Sequence, residues 1–247
     1  MEILGIDVGG TGIKAAIVNI ETGKIISERR RISTPKPATP EAVAKIINRF
    51  IKHFKWKGSV GCGFPTPLAH GKCLTGGNLH EDWKGMHVDE FFKKATGNEF
   101  FVVNDADAAG IAEISFGAGK DIKGVVIMIT IGTGIGSAMF LDGKLLPNTE
   151  LGHLMNRHGD SFESYAADSA RKRDKLSQKK WGKRLHKYFD HLNFIFSPDL
   201  FIIGGGASKN LDKFSYKIDI STPIVSAQSE NDAGIIGAAM AAKFEIK

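Results

Sequence analysis

Three glycine-bearing stretches of this 247-residue sequence offer the chemistry of a phosphate grip. The first is Asp7-Val8-Gly9-Gly10-Thr11-Gly12-Ile13-Lys14. Glycine lets backbone N–H groups come close to a ligand and tolerates positive φ. A nest of such donors beside the Thr11 hydroxyl and the Lys14 ammonium suits a phosphate group. The Asp7 carboxylate would face a metal ion rather than the anion. The bland alternative is a glycine-rich hairpin turn that contains an aspartate. The second stretch, Thr130-Ile131-Gly132-Thr133-Gly134-Ile135-Gly136, repeats the first if one glycine is skipped. The third, Gly204-Gly205-Gly206, sits between an apolar run and a predicted helix, where a nucleotide or phosphate can approach the backbone.

Polar residues at other positions add a second kind of chemistry. Phe100-Phe101-Val102-Val103 reads as a strand and runs into Asn104-Asp105-Ala106-Asp107, the head of an alanine-rich helix reaching Phe116. Asp107 reads as a helix cap. Asp105 stands at the same kind of strand end as Asp7 and reads as a site residue, with Asn104 as a second polar group beside it. Asn78, after Gly76-Gly77, is either a partner for a hydroxyl-rich ligand or a turn former. Glu150 and His153 flank Gly152 and are either surface residues or zinc ligands. No Cys-x-x-Cys or second close ligand pair supports zinc. Glu163 falls at a predicted helix start.

Strands and helices must hold these residues in place. Ile3-Leu4-Gly5-Ile6 and Val125-Val126-Ile127-Met128-Ile129 read as buried strands leading into the first two glycine turns. Each hairpin then continues as a strand and a turn, Glu21-Thr22-Gly23-Lys24 in one copy and Leu141-Asp142-Gly143-Lys144 in the other. Such a repeat predicts two similar α/β lobes, each carrying a hairpin. The expected division is a smaller N-terminal lobe at 1–108, onto which a helix at about 233–247 packs back, and a larger lobe at 109–232. Thr39-Pro40-Glu41 predicts a helix start, and Val43, Ile46, Ile47, Phe50 and Ile51 its buried face.

Composition narrows the setting. The chain is 42% hydrophobic and 24% charged, in the globular range. No apolar run approaches the ~20 residues of a membrane span, and residues 1–6 read as a strand rather than a signal peptide. Two cysteines, Cys62 and Cys73, make no disulfide framework, which points to a reduced cytoplasm. Residues 171–187 hold nine Lys/Arg against Asp174 alone, a local +8 in a chain of net +6. Trp181, Leu185, Tyr188, Phe189 and Leu192 recur there at helical spacing. The run therefore reads as one amphipathic helix whose basic face is either simply solvated or meets a polyanion. No base-reading motif accompanies it, which argues against a nucleic-acid-binding protein.

Taken in order, these stretches resemble the ROK family of sugar kinases. The resemblance rests on Asp7-Val8-Gly9-Gly10-Thr11, Asn104-Asp105-Ala106, Thr130-Ile131-Gly132-Thr133-Gly134-Ile135-Gly136, Glu150-Leu151-Gly152-His153 and Gly204-Gly205-Gly206. Within the family it is similar to the polyphosphate glucokinase branch, through Pro147-Asn148-Thr149, Ser197-Pro198-Asp199-Leu200-Phe201 and Ala233-Gly234-Ile235-Ile236-Gly237-Ala238-Ala239. One departure is clear. Many members carry a cysteine-rich zinc run after the Glu-x-Gly-His segment, and Arg157-His158-Gly159-Asp160-Ser161-Phe162-Glu163 has no cysteine. The resemblance therefore implies no structural zinc here.

The resemblance implies an α/β, two-lobed actin-like/hexokinase (RNase H-like) fold built on a duplicated hairpin-containing domain. It implies Asp105 as general base toward a sugar 6-hydroxyl, with Asn78, Asn104, Glu150, His153 and Glu163 holding the sugar. Asp7, Gly9, Gly10, Thr11 and Lys14 would grip phosphate on one side, and Thr130, Gly132, Thr133, Gly134, Gly205 and Gly206 on the other. Mg2+ would lie near Asp7, held directly or through water. The implied activity is phosphoryl transfer from polyphosphate, with ATP as a possible second donor, to glucose in a cytoplasmic homodimer. The competing reading is an ATP-dependent hexokinase of the same family acting on glucose, mannose or an N-acetylhexosamine.

Overall fold

The computed structural model describes residues 1–77 and 79–245. The chain divides into two compact units, Met1–Ala112 with Asn231–Lys247, and Glu113–Glu230.

The first unit is built on a sheet. Strands β1 (Glu2–Val8) and β2 (Gly12–Asn19) form an antiparallel hairpin, extended by β3 (Lys24–Ile25) and β4 (Arg30–Ser33), both paired with β2. Helix α1 (Pro40–Phe54) follows. The Thr39 hydroxyl accepts the Ala42 N–H, Pro40 occupies the first turn, and Lys55 ends the helix in a left-handed conformation. Its apolar stripe buries Val43, Ile47 and Phe50 against Leu4, Ile6 and Phe64 in one core. Each such side chain contributes about 1.5–3 kcal/mol by leaving water. Strand β5 (Val60–Phe64) runs parallel to β1; β6 (Leu68–Ala69) and β7 (Lys72–Cys73) make a small separate hairpin. After α2 (Val88–Thr96), β8 (Phe100–Asn104) adds in parallel to β5 and passes directly into α3 (Asp105–Phe116), where the first unit gives way to the second.

The second unit repeats that plan. Strands β9 (Val125–Ile131) and β10 (Ile135–Leu141) form an antiparallel hairpin, and β11 (Lys144–Leu146) pairs with β10. Three helices follow: α4 (Phe162–Ala166), α5 (Asp168–Arg173) and α6 (Gln178–Phe196). Strand β12 (Leu200–Gly204) is parallel to β9; after α7 (Asp212–Ser215), β13 (Ile224–Ser226) closes the sheet. The orders β3-β2-β1-β5-β8 and β11-β10-β9-β12-β13 are the same arrangement. The hairpin repeat seen in the sequence is thus part of a repeat of five strands, with β4 an addition in the first unit.

Helix α8 (Ala233–Glu245) belongs to the first unit and packs on β1, β5 and β8. It does so at backbone distance. A Cβ on Gly61 would lie 1.9 Å from the Ala238 carbonyl oxygen, and one on Gly237 only 1.6 Å from that of Ala108.

Two local expectations need correction. The basic run at 171–187 is not one helix. It is the end of α5, a turn in which Lys175 adopts φ 49°, and the first half of α6, whose N-cap Ser177 accepts the Lys180 N–H. Asp174 makes the break, binding Arg173 behind it and Arg184 ahead. The glycine run after β12 leads into a short 3-10 segment of two turns, Gly205–Asn210, because three successive glycines and Ser208 do not sustain an α-helix.

Candidate active site

In the first unit the β1–β2 turn is Gly9-Gly10-Thr11, closed by the Gly9 N–H donating to the Gly12 carbonyl at 3.1 Å. Gly10 and Thr11 are exposed, and the Thr34 hydroxyl donates to the Gly9 carbonyl from β4's end. Asp7 and Lys14 face each other across the hairpin and form an ion pair at 2.9 Å. The expectation had Asp7 on a metal and Lys14 on phosphate; here each is held by the other.

A third residue completes this row, and sequence reasoning passed over it. Arg31 sits opposite Lys14 across the β2–β4 pairing and donates to the Thr11 carbonyl at 3.1 Å. A Cβ on Gly12 would lie 2.5 Å from its guanidinium, so glycine there lets Arg31 lie over the turn. Like charges directly opposite on a sheet repel, and Asp7 offsets part of that cost. In the sequence Arg31 is hidden in Arg29-Arg30-Arg31, which looks like an ordinary solvated run; only strand register singles it out. Behind the row, Gly234 at the start of α8 approaches Asp7 so closely that a Cβ would fall 2.8 Å from its carboxyl carbon. A helix N-terminus favours a negative charge at that place.

At the β8–α3 junction the helix is capped by Asn104, whose side-chain oxygen accepts the N–H groups of Ala106 at 2.8 Å and Asp107 at 3.4 Å. The cap is therefore Asn104, and Asp107 is a buried residue one turn in. With its oxygen committed, Asn104 offers its NH2 as the group for a ligand. Asp105 is the first residue of α3 and is exposed, with Gly63 of β5 close by its Cα. Asn78 lies outside the described residues.

In the second unit the β9–β10 turn is Gly132-Thr133-Gly134, closed by the Gly132 N–H donating to the Gly134 carbonyl at 2.9 Å. The α4–α5 segment locks it. The Ile135 N–H donates to Glu163 at 2.8 Å, the Asp168 N–H to the Gly132 carbonyl at 3.1 Å, and the Ser169 hydroxyl to the Thr133 carbonyl at 2.6 Å. Thr130 pairs with Gly204, and Gly205, at φ +70°, tucks against Ile131 where a Cβ would lie 2.7 Å from its carbonyl oxygen. The second and third glycine stretches, distant in sequence, are thus one surface.

The same unit gathers Glu150, His153 and Glu163. Ser137 of β10 hydrogen-bonds the Thr149 carbonyl and accepts the Leu151 N–H, which fixes the chain on both sides of Glu150. Gly152 abuts Ile135, where a Cβ would fall 2.3 Å from the carbonyl oxygen. The requirement explains glycine between the two polar residues. Glu150 and His153 approach to 3.8 Å. Burial pushes the Glu150 carboxyl up, His153 opposes this, and Glu163 adds to it. Tyr188 of α6, fully buried, has its hydroxyl pushed up by burial and by the charges of Glu163 and Glu150. Among the described residues no three metal-ligating side chains cluster.

Chemically, the first unit presents a carboxylate at a helix start and a cation-flanked turn. The second presents a glycine turn beside two carboxylates and an imidazole, a set of groups able to exchange hydrogen bonds with a polyol.

Comparison with known proteins gives these features a context. The family model described as ROK family matches residues 3–163. The chain is 43% identical over 238 residues to a protein named polyphosphate glucokinase from Mycobacterium tuberculosis (strain ATCC 25618 / H37Rv), covering 96% of this chain and 89% of that one. It is 40% identical to the polyphosphate glucokinase of Mycobacterium leprae (strain TN), covering 98% and 75%. Among solved structures, the inorganic polyphosphate/ATP-glucomannokinase from Arthrobacter sp. strain KM superposes with a TM-score of 0.92 at 43% identity, over 99% of each chain.

Proposed function

The chain belongs to the ROK family of sugar kinases, with their actin-like/hexokinase α/β fold, and from that premise we propose that it is a polyphosphate-dependent glucokinase. It moves the terminal phosphoryl group of inorganic polyphosphate to the 6-hydroxyl of glucose. The observation that carries this reading is Asp105, an exposed carboxylate fixed at the β8–α3 junction of a chain whose relatives are named for that reaction.

Asp105 takes the proton of the 6-hydroxyl as its oxygen attacks the terminal phosphorus. The P–O bond to the donor breaks, leaving glucose 6-phosphate and a polyphosphate one unit shorter. A placed base of this kind supplies roughly 10²–10⁴-fold. The Asn104 NH2, Glu150, His153 and Glu163 hold the sugar hydroxyls. The two turns supply N–H groups to phosphate oxygens, with Lys14 and Arg31 adding charge on the first. The transfer depends mainly on positioning and charge neutralisation.

Mg2+ fits the residues present. Asp7 would hold it by exchanging its Lys14 partner, at 2.9 Å in this structure, for the ion, since Mg2+ is usually held by one or two carboxylates together with substrate phosphates. When bound it neutralises charge on the donor. ATP serves as a second donor, as the name of the Arthrobacter relative suggests for that protein. We read the protein as a cytoplasmic homodimer. The two buried free cysteines, Cys62 and Cys73, support the compartment. The exposed apolar side chains Phe194, Ile195 and Met155 support self-association.

Asp105→Asn tests the assignment. The variant is expected to keep its fold and its glucose affinity and to lose kcat by at least about 10²-fold. Turnover within a few-fold of wild type would remove Asp105 from the role of base.

A further inference from the structure

The basic surface of α5 and α6 resolves into two sets of charges. Arg171 and Lys172 bind Asp168, and Arg173 and Arg184 bind Asp174. The two pairs of Asp168 lie within α5, and the two of Asp174 fasten the turn between the helices. Lys175, Lys179, Lys180, Lys183 and Lys187 are exposed, and none has a carboxylate within ion-pair distance among the described residues. Lys187 only rests near the Tyr165 ring and hydroxyl.

The placement of these lysines costs stability. Lys179, Lys183 and Lys187 follow each other four residues apart on α6, so their charges repel along one face about 6 Å apart. Lys179 and Lys180 also lie in the first turn, which holds no acid, where the helix dipole disfavours cations. Nothing on the buried side requires them, since Trp181, Leu185, Tyr188 and Phe189 fill the core whatever charge faces out. A bound polyanion reverses the sign of both costs. The stripe ends at a cavity of about 590 Å³ in which Lys187 is joined by Arg157, His158 and His191, with Asp190 as the acid on its wall.

We propose that Lys175, Lys179, Lys180, Lys183 and Lys187 form a track that binds the internal units of a long polyphosphate chain, outside the two turns that hold its reacting end. The inference rests on the polyphosphate reading above and extends it to chain length. Each unit of the donor carries a negative charge, so successive lysines, separated by less than the Debye length of about 8 Å at physiological salt, act together on it. ATP is too short to engage the track while its phosphates occupy the turns. α5 begins where Asp168 and Ser169 bind the second turn, so the track and that turn are carried by one rigid segment of the second unit.

The test replaces Lys179, Lys180, Lys183 and Lys187 with Gln in the full chain. KM is measured for long-chain polyphosphate, tripolyphosphate and ATP at two salt concentrations, and the binding of long-chain polyphosphate is measured directly. The expected result is a KM and dissociation constant for the long chain raised about tenfold, with a salt slope shallower by roughly three. KM for tripolyphosphate, ATP and glucose should stay within twofold. An unchanged long-chain KM, or equal rises for all donors, would overturn the track. So would a variant that loses binding of duplex DNA but keeps that of polyphosphate. If wild type turns over ATP alone, the donor reading has failed; loss of direct polyphosphate binding in the variant would still uphold the track, and retention would overturn it.

Discussion

At the scale of single residues, environment rather than identity assigns roles. Glu150 is held above the usual carboxylate range by burial, with Glu163 pushing the same way and His153 pulling back. A group whose pKa is raised by folding contributes stability that is complete below its unfolded value and lost as pH rises through the folded one. The charged form of Glu150 is therefore a cost to the fold. Glu150→Gln is expected to raise Tm at pH 7, with the gain vanishing as pH falls below the ordinary carboxylate range. The same variant should raise KM for glucose roughly tenfold or more, because a charged acceptor is lost. A lower Tm at pH 7 with unchanged KM would contradict both halves. Asp7 and Asp105 stood out as candidates from their place at strand ends, whereas Glu150 and Glu163 became candidates only through the family resemblance. Arg31 did not stand out, because strand register alone distinguishes it from its neighbours. Nor did the commitment of Asn104's oxygen to capping α3, since a polar residue before a helix serves cap and ligand equally well on paper.

At the scale of elements, the two hairpins and α1 were readable because their signals are local: glycine turns between apolar runs, and a Thr-Pro cap before a 3.6-residue stripe. The helix across 171–187 was misread because Asp174 and Ser177 look like any polar pair in a basic run; their ion pairs and cap, which need the fold, make the break. Helix α8 carries the sharpest elementary constraint. Its glycines and alanines give no amphipathic signal, yet they let it touch β5 and α3 backbone to backbone, beside the carboxylate of Asp7. Gly237→Ala has no room for its methyl group beside the Ala108 carbonyl. It is expected to destabilise the protein by about 2 kcal/mol or more, read as a lower urea midpoint. A midpoint equal to wild type would mean that α8 is not held at this distance.

At the scale of the whole molecule, the duplicated sheet order explains how a 247-residue chain holds two glycine turns, one per unit. The repeat of the glycine turns made the fold class readable from sequence. Donor choice was read from resemblance, and the relatives at 43% identity agree with it. The most direct measurement is a coupled assay of glucose 6-phosphate formation by the purified chain, with Mg2+, glucose and long-chain polyphosphate as the only donor, beside a parallel assay with ATP alone. Sustained product formation with polyphosphate, abolished in Asp105→Asn, is the predicted result. Turnover with ATP and none with polyphosphate would contradict it.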